Sequence, residues 1–392
     1  MLFALGSNGS GQLGAVHTED ISRPTEVSIP GHLNTTAPFS SITAIAAGGN
    51  HTLVLYHDGT IYASGQNTDG RCSLNNAAIQ IDEIDQLRSF IPPNGIAKDR
   101  SAGNYKFCAA SWEASICLTA DGHIISCGTG SKGELGLGKD ITKATTPQII
   151  PDFPPQGTRV TWLAASMSHV IAVLSNGDVY GWGSGRKGQL GPPPDIIWTP
   201  RKIEGIPFPA RRAVCGRDFT YVVGQPDSGN HIVIGADKWS VVSNAPKTLP
   251  SWTAVAASWG SVFVLLQSGH LISWGRNDHG QLCPPNLLAI ENIAVGSEHV
   301  VALTSTGEVI AWGWGEHGNC GEPTDNGDVK DRWNVLSVSG KVYRLGAGCA
   351  TSFIASFDES KHKTSLPALG SVGFRHTQGH GLSSSTQGVF LK

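Results

Sequence analysis

The chain has 392 residues, 49 of them glycine and 22 proline, and its 28 lysines and arginines against 31 aspartates and glutamates give a formal net charge of -3. A balance this close to neutral argues against a general nucleic-acid or membrane surface, which needs a basic excess. With no charged-then-apolar leader and no run of about 18 apolar residues, the expectation is a cytosolic or nuclear protein.

Along the chain, residues 2 to 14 (LFALGSNGSGQLG) carry the closing half of a repeat around Gly6, with no opening half before Met1. PTEVSI (24 to 29) reads as an outer strand. From Gly48 to Gly65 a 17-residue interval appears, and it recurs from Ser111 to Gly128, Ser166 to Gly183, Ser258 to Gly275 and Gly296 to Gly313. Each interval opens on an apolar-small-small stretch (IAAG, CAAS, LAAS, VAAS, IAVG), carries a glycine at offset 11 and closes on x-G. Such a period decides architecture before any single residue does. Within it, HTLVLYH (51 to 57), VIAVLSN (170 to 176), SVFVLLQ (261 to 267) and HVVALTS (299 to 305) have the Val- and Leu-rich look of buried strands. The following pairs Asp58-Gly59, Asp121-Gly122, Asn176-Gly177 and Ser268-Gly269 read as two-residue hairpin turns. Residues 75 to 106, with IDEIDQLRSFIPPNG inside, lengthen one connection and suggest a short helical turn on the rim. PQIIP (147 to 151) reads as another outer strand. The copy from Gly216 to Gly235 is two residues longer, with its turn glycine at Gly229. Residues 344 to 357 (RLGAGCATSFIASF) hold an opening half, after which 358 to 392 form a polar tail rich in Ser, Gly and His, expected to be mobile.

Joined, the two terminal halves complete one unit, and pairing first and last strands in one sheet leaves no unpaired edge. Four strands per unit and seven units predict an all-β, seven-bladed β-propeller over residues 1–357, its ring closed by the N- and C-terminal strands.

Several motifs point away from chemistry. G-x-G-x-x-G occurs at Gly9, Gly128, Gly183 and Gly313, but no helix or well-placed acidic residue follows, so these glycines read as loop geometry and not as a dinucleotide site. The eight cysteines never approach C-x-x-C spacing and read as reduced packing residues; the sequons at Asn8, Asn34 and Asn50 then read as chance matches. His51, His169 and His299 open one recurring strand, where the expected role is bonding backbone between blades. No catalytic, cofactor or metal residues are assigned, and the expectation is a non-enzymatic protein.

Strand order puts the residues after each A-x-G/S triplet and after each W-G on one face of the disc. Trp182, Trp274 and Trp312 share one repeat position and are assigned to packing between blades. Trp314, Trp112 and Trp259 instead replace small or polar residues on that face. Trp239, Trp259 and Trp314 belong to three consecutive blades, with His279, Glu316 and His317 in loops beside them, and Arg186, Lys187, Arg217 and Arg276 reach the same face. Aromatics flanked by polar loops have the composition of an interface centre, and the cations would steer an acidic partner. The candidate partner-binding residues are Trp239, Trp259, Trp314, Glu316, His317, His279 and Arg276. The alternative is that each indole folds over its own blade and seals the sheet end.

The core G-x-x-H-x-x-x-L-x-x-x-G-x-V-x-x-W-G-x-x-x-x-G-Q-L-G resembles the propeller family named after the regulator of chromosome condensation. His51, Gly59 and Gly65 match it, as do His169, Trp182, Gly183, Gly188, Gln189, Leu190 and Gly191, and then Trp274, Gly275, Gly280, Gln281 and Leu282. The resemblance implies a fold shared by guanine-nucleotide exchange factors, ubiquitin-ligase domains and adaptors. Within the family, WGWGEHGNCG (312 to 321), with GSEH before it and GCAT after it, resembles the fungal alpha-tubulin suppressor or killer-toxin-insensitivity group. That narrower resemblance implies an adaptor forming a heterodimer with a small CSL-type protein, which binds zinc or iron through four cysteine thiolates. The pair would serve Elongator-dependent modification of wobble uridine in tRNA and diphthamide synthesis. The alternative is an exchange factor acting on a Ran-type GTPase. The slightly acidic chain, opening directly on a strand at Leu2 without the basic arm usual in that class, favours the adaptor.

Overall fold

The computed structural model describes residues 1–28, 42–73, 83–90 and 105–358. Among them, 26 strands form seven antiparallel sheets, the blades of the expected propeller. Blade 1 spans residues 42–89, blade 2 105–149, blade 3 160–202, blade 4 212–235, blade 5 252–275 and blade 6 290–335. Blade 7 joins Lys341–Ala347 and Thr351–Phe357 to Leu2–Gly6 and Ile21–Glu26, with Leu2 opposite Ala355 and Gly6 opposite Thr351. All five residues of Leu2–Gly6 are buried, so the closing strand supplies core as well as a ladder.

Second strands such as His51–Tyr56, His169–Leu174 and His299–Thr304 are buried along their whole length, because neighbouring blades cover both faces of each sheet. The x-G that closes each repeat follows from the same packing. Gly183 has φ 103°, and a Cβ there would lie 2.5 Å from the Ser168 carbonyl oxygen. Residue 182 is left as the last position able to carry a large side chain inward. Trp182, Trp274 and Trp312 fill it, are buried, and donate Nε1–H to the carbonyls of Glu134 in blade 2 and of Val241 and Gln281 in the connections that follow blades 4 and 5.

The histidines act between blades chiefly through hydroxyls. His51 Nε2 lies 3.0 Å from Ser115 Oγ, His169 3.1 Å from Thr220 Oγ1 and His299 2.9 Å from Ser352 Oγ. Each hydroxyl donates back to a carbonyl of the histidine's own blade, at Arg71, Gln189 and Asn319. Because the hydroxyl proton is used there, Nε2 must donate, and burial holds the three rings neutral, down to about 3 for His51 and about 4 for His169 and His299.

Local geometry differs from the sequence reading in four places. The hairpins have three-residue loops: Leu174 N–H bonds Asp178 O, Gly177 N–H bonds Leu174 O, and of the loop only the glycine has positive φ. This is a type I turn followed by a left-handed bulge glycine, which Asn-Gly also satisfies. The outer strands are Ile21–Glu26 and Lys143–Ile149, three or four residues earlier than PTEVSI and PQIIP suggested, because one exposed edge makes their apolar residues sparse. Where a helical turn was expected on the rim, Glu83–Ser89 is the outer strand of blade 1; the rest of that insertion, apart from Phe90, Tyr105 and Lys106, lies outside the described residues. Blades 4 and 5 have three strands and not four. Pro284 and Pro285 remove ladder donors after blade 5. After blade 4 the chain turns back at Lys238–Ser240, a tight turn in which Trp239 and Ser240 both have positive φ.

The eight cysteines are free, six of them buried. Asn8 is fully buried, while Asn34 and the tail after Asp358 lie outside the described residues. No helix among the described residues is long and apolar enough to cross a membrane.

Candidate functional site

The last residue of every inner strand, from Ala47 in blade 1 to Ala347 in blade 7, reaches the central channel. Small side chains such as Ala47, Ala110, Ser166, Ser258 and Gly296 line a cavity there of about 110 Å³, and its described lining includes no carboxylate, histidine, lysine or arginine. Five blade junctions at this mouth are stitched by backbone bonds: Gly49 to Trp112, Trp112 to Met167, Arg217 to Trp259, Trp259 to Ser297 and Ser297 to Gly348, each N–H to O at 2.9–3.1 Å. Trp112 of blade 2 and Trp259 of blade 5 meet across the opening with ring centroids 5.7 Å apart. Trp259 therefore does not fold over its own blade but helps to cover the channel, while the Arg217 guanidinium sits 5.9 Å from its ring centroid.

Outward from Trp259, a cavity of about 220 Å³ separates blades 4 and 5, lined by Arg217, Asp218, Lys238, Trp239, Trp259 and Arg276 among others. Trp239 is 44% exposed and adopts φ 62° and ψ 22°, a left-handed conformation that a bulky side chain enters only under constraint. The constraint is visible: Asp237 Oδ1 accepts the Val242 and Ser243 N–H groups at 2.7 and 3.0 Å and folds the loop back. The Arg276 guanidinium lies 5.2 Å and the Lys238 ammonium 5.6 Å from the Trp239 ring centroid, contacts each worth about 0.5–1 kcal/mol in partly solvated sites.

Arg276 is held from behind by two carboxylates, Asp278 at 2.7 Å and Glu298. Burial opposes ionisation of Asp278, yet its bonds to Arg276 and Gln281 hold the carboxyl down at about 2; burial pushes the Glu298 carboxyl up, with Arg276 opposing it. The Glu298 carbonyl also accepts the Trp314 N–H at 2.9 Å, which links this cleft to a second cluster. There Trp314 is half-buried, edge-on to His317 with centroids 5.5 Å apart and 6.5 Å from the His279 ring. His317 Nδ1 lies 2.8 Å from Asp20, and His279 Nδ1 3.0 Å from Asp328. Glu316 is exposed beside them.

The structure thus brings Trp239, Trp259 and Arg276 into one cleft and Trp314, His279 and His317 into an adjoining wall. Arg186 and Lys187 are exposed but outside the lining of the cleft. Sequence reasoning missed Lys238 and the carboxylates Asp218, Asp278, Glu298, Asp328 and Asp20. One signal was present: Glu113, Asp218 and Glu298 occupy the repeat position just before the second strand, where other units have Asn50, Ser168, Gly260 or Ala350. Among the described residues no three His, Cys, Asp or Glu side chains converge as a metal site.

A family model described as the RCC1-like domain matches residues 1–354, and the chain belongs to that family. It is 33% identical over 376 residues to an RCC1 repeat-containing protein of Schizosaccharomyces pombe, covering 93% of this chain and 100% of the relative. It is 27% identical over 428 residues to the secretion-regulating guanine nucleotide exchange factor of Bos taurus, covering 95% of this chain and 85% of that one. Among solved structures, Prp20p of Saccharomyces cerevisiae, reported with its binding properties to Gsp1p and histones, superposes with a TM-score of 0.75 at 19% identity over 92% of this chain and 93% of that one. At that identity the superposition speaks to the fold.

Proposed function

We propose that the protein acts by docking a protein partner on the face built by blades 4 to 6, in the manner of an exchange-factor-like propeller that regulates a small GTPase of Ran type. The observation that carries the docking reading is Trp239, an exposed indole in a left-handed conformation, stacked with cations over an open cleft. Backbone strain kept on a surface that packing does not require is a mark of function. The GTPase is favoured by the relatives: the similar protein of Bos taurus is named a guanine nucleotide exchange factor, and the yeast propeller with the same fold is described by its binding to Gsp1p. The test is release of fluorescent GDP from a Ran-type GTPase, with and without the protein. Release accelerated tenfold or more, and lost in Trp239→Ala and Trp314→Ala, supports the reading; neither binding nor acceleration removes the GTPase from it.

A second partner is favoured by a different observation. The run WGWGEHGNCG at 312–321 builds the wall in which Trp314 meets His317, and it exceeds what the repeat requires. On this reading the chain is an adaptor that pairs with a small CSL-type metal protein in tRNA wobble-uridine modification, Elongator function and diphthamide synthesis. Calorimetric titration of that small protein, alongside the GTPase assay, separates the two.

A further inference from the structure

The cleft between blades 4 and 5 has a chemistry narrower than a general docking face. Three cations and one carboxylate line it: Arg217, Lys238 and Arg276 against Asp218. Arg276 is already matched to Asp278 and Glu298. Arg217 and Lys238 are both exposed, and among the described residues neither has an ion-pair partner; each lies against an indole, at 5.9 and 5.6 Å. Asp237 cannot serve Lys238 fully, because its Oδ1 is taken by two backbone N–H groups. Between the cations the walls are Trp239 and Trp259, and at Gly260 the missing side chain leaves room for them: a Cβ there would come within 2.9 Å of Arg276 Cβ and 3.2 Å of Trp239 Cδ1.

We infer that this cleft takes a short acidic segment of the partner, one apolar or aromatic side chain entering between Trp239 and Trp259 while flanking carboxylates pair with Arg217 and Lys238. The inference rests on the reading that this face docks a protein, and it adds the partner's chemistry. Cations held against indole faces are pre-aligned for carboxylates, so little side-chain freedom is lost on pairing. The apolar residue displaces water from a site rimmed by charge, the arrangement of an interface hot spot.

The experiment uses the full chain and the capped peptide Asp-Glu-Phe-Glu-Asp, followed by indole fluorescence and anisotropy, with Lys-Lys-Phe-Lys-Lys and Asp-Glu-Ala-Glu-Asp as comparators. Binding of the acidic phenylalanine peptide is expected, weakened about tenfold or more in the double variant Arg217→Glu/Lys238→Glu, in Trp239→Ala, and in roughly 0.5 M salt. Arg186→Glu/Lys187→Glu, an equal charge change outside the cleft, is expected to leave it unaltered. Failure of the acidic peptide to bind, equal binding of the lysine peptide, or equal loss in the Arg186/Lys187 variant overturns the inference. Capture of the whole partner separates the two levels. Capture lost in Trp314→Ala but kept in Arg217→Glu/Lys238→Glu retains the docking face and overturns the cleft; capture kept in both overturns the face itself.

Discussion

Blades 3 and 4 adjoin in the ring and treat tryptophan in opposite ways. Blade 3 has four strands, a three-residue hairpin loop, and Trp182 one position before Gly183, fully buried with its N–H on Glu134 O. Blade 4 has three strands, a longer hairpin, and Ile234 at the corresponding position; its tryptophan lies four residues beyond Gly235, 44% exposed in a left-handed backbone. Register decides the difference. An indole before the closing glycine points between blades, whereas Trp239, four residues beyond it, has left the sheet and serves the surface. The missing outer strand of blade 4 is what frees the chain to carry Trp239 over the cleft.

The largest expected effect tests the ring on which both blades depend. Deleting residues 1–14 removes Leu2, Phe3 and Leu5 from the core, at about 1.5–3 kcal/mol each, together with a whole ladder. That total is comparable with the 5–15 kcal/mol that stabilises a typical domain. Loss of the cooperative melt and of monomeric elution is expected; a truncated chain that melts as the intact one does would show that the ring does not need its closing strand.

Acidification comes next. The buried histidines have folded pKa values well below the ordinary 6.5, so between about pH 6.5 and 4 the unfolded chain binds more protons. Stability is therefore complete above the unfolded value and falls as pH drops, by about 2 kcal/mol per histidine between pH 7 and 5, or about 6 kcal/mol for the three. Urea midpoints at the two pH values measure it. In His169→Gln the loss should shrink by about one third, and an unchanged pH dependence in that variant would contradict the neutral, clamped ring.

Trp182→Ala sharpens the contrast between the blades directly. A cavity in the sealed junction should cost about 3–5 kcal/mol in urea unfolding. Trp239→Ala, by contrast, should change stability by less than about 1 kcal/mol, since little of the exposed indole is packed. Instead Trp239→Ala and Trp314→Ala should each weaken partner binding by about 2–4 kcal/mol, roughly 30-fold to 1,000-fold, in calorimetric titration. Unchanged affinity in both would move the interface to another surface of the propeller. The smallest effect is expected from deleting residues 358–392; the melting temperature should move by no more than about a degree.

The fold was legible because its signals are local and repeated. A buried strand shows as an apolar run, a bulge glycine as Asn-Gly or Asp-Gly, and an inter-blade tryptophan as W-G, each written in neighbouring residues and reinforced at every copy. The outer strands were blurred and two proved absent, since an edge exposed to water imposes little pattern and two prolines can cancel it. The face was legible only as a list of residues that break the repeat. Which of them meet was not written locally: Trp112 reaches Trp259 across the channel, Arg276 pairs with Glu298 from the next blade, and His317 finds Asp20 from the other end of the chain. Sequence alone determined the blades, their number and the burial of the tryptophans before the closing glycines, Trp182, Trp274 and Trp312, though not of Trp252, because these follow from short-range geometry. Only closure of the ring decided which loops share a mouth and which charges remain unpaired, because those depend on distances set by seven blades packed in a circle.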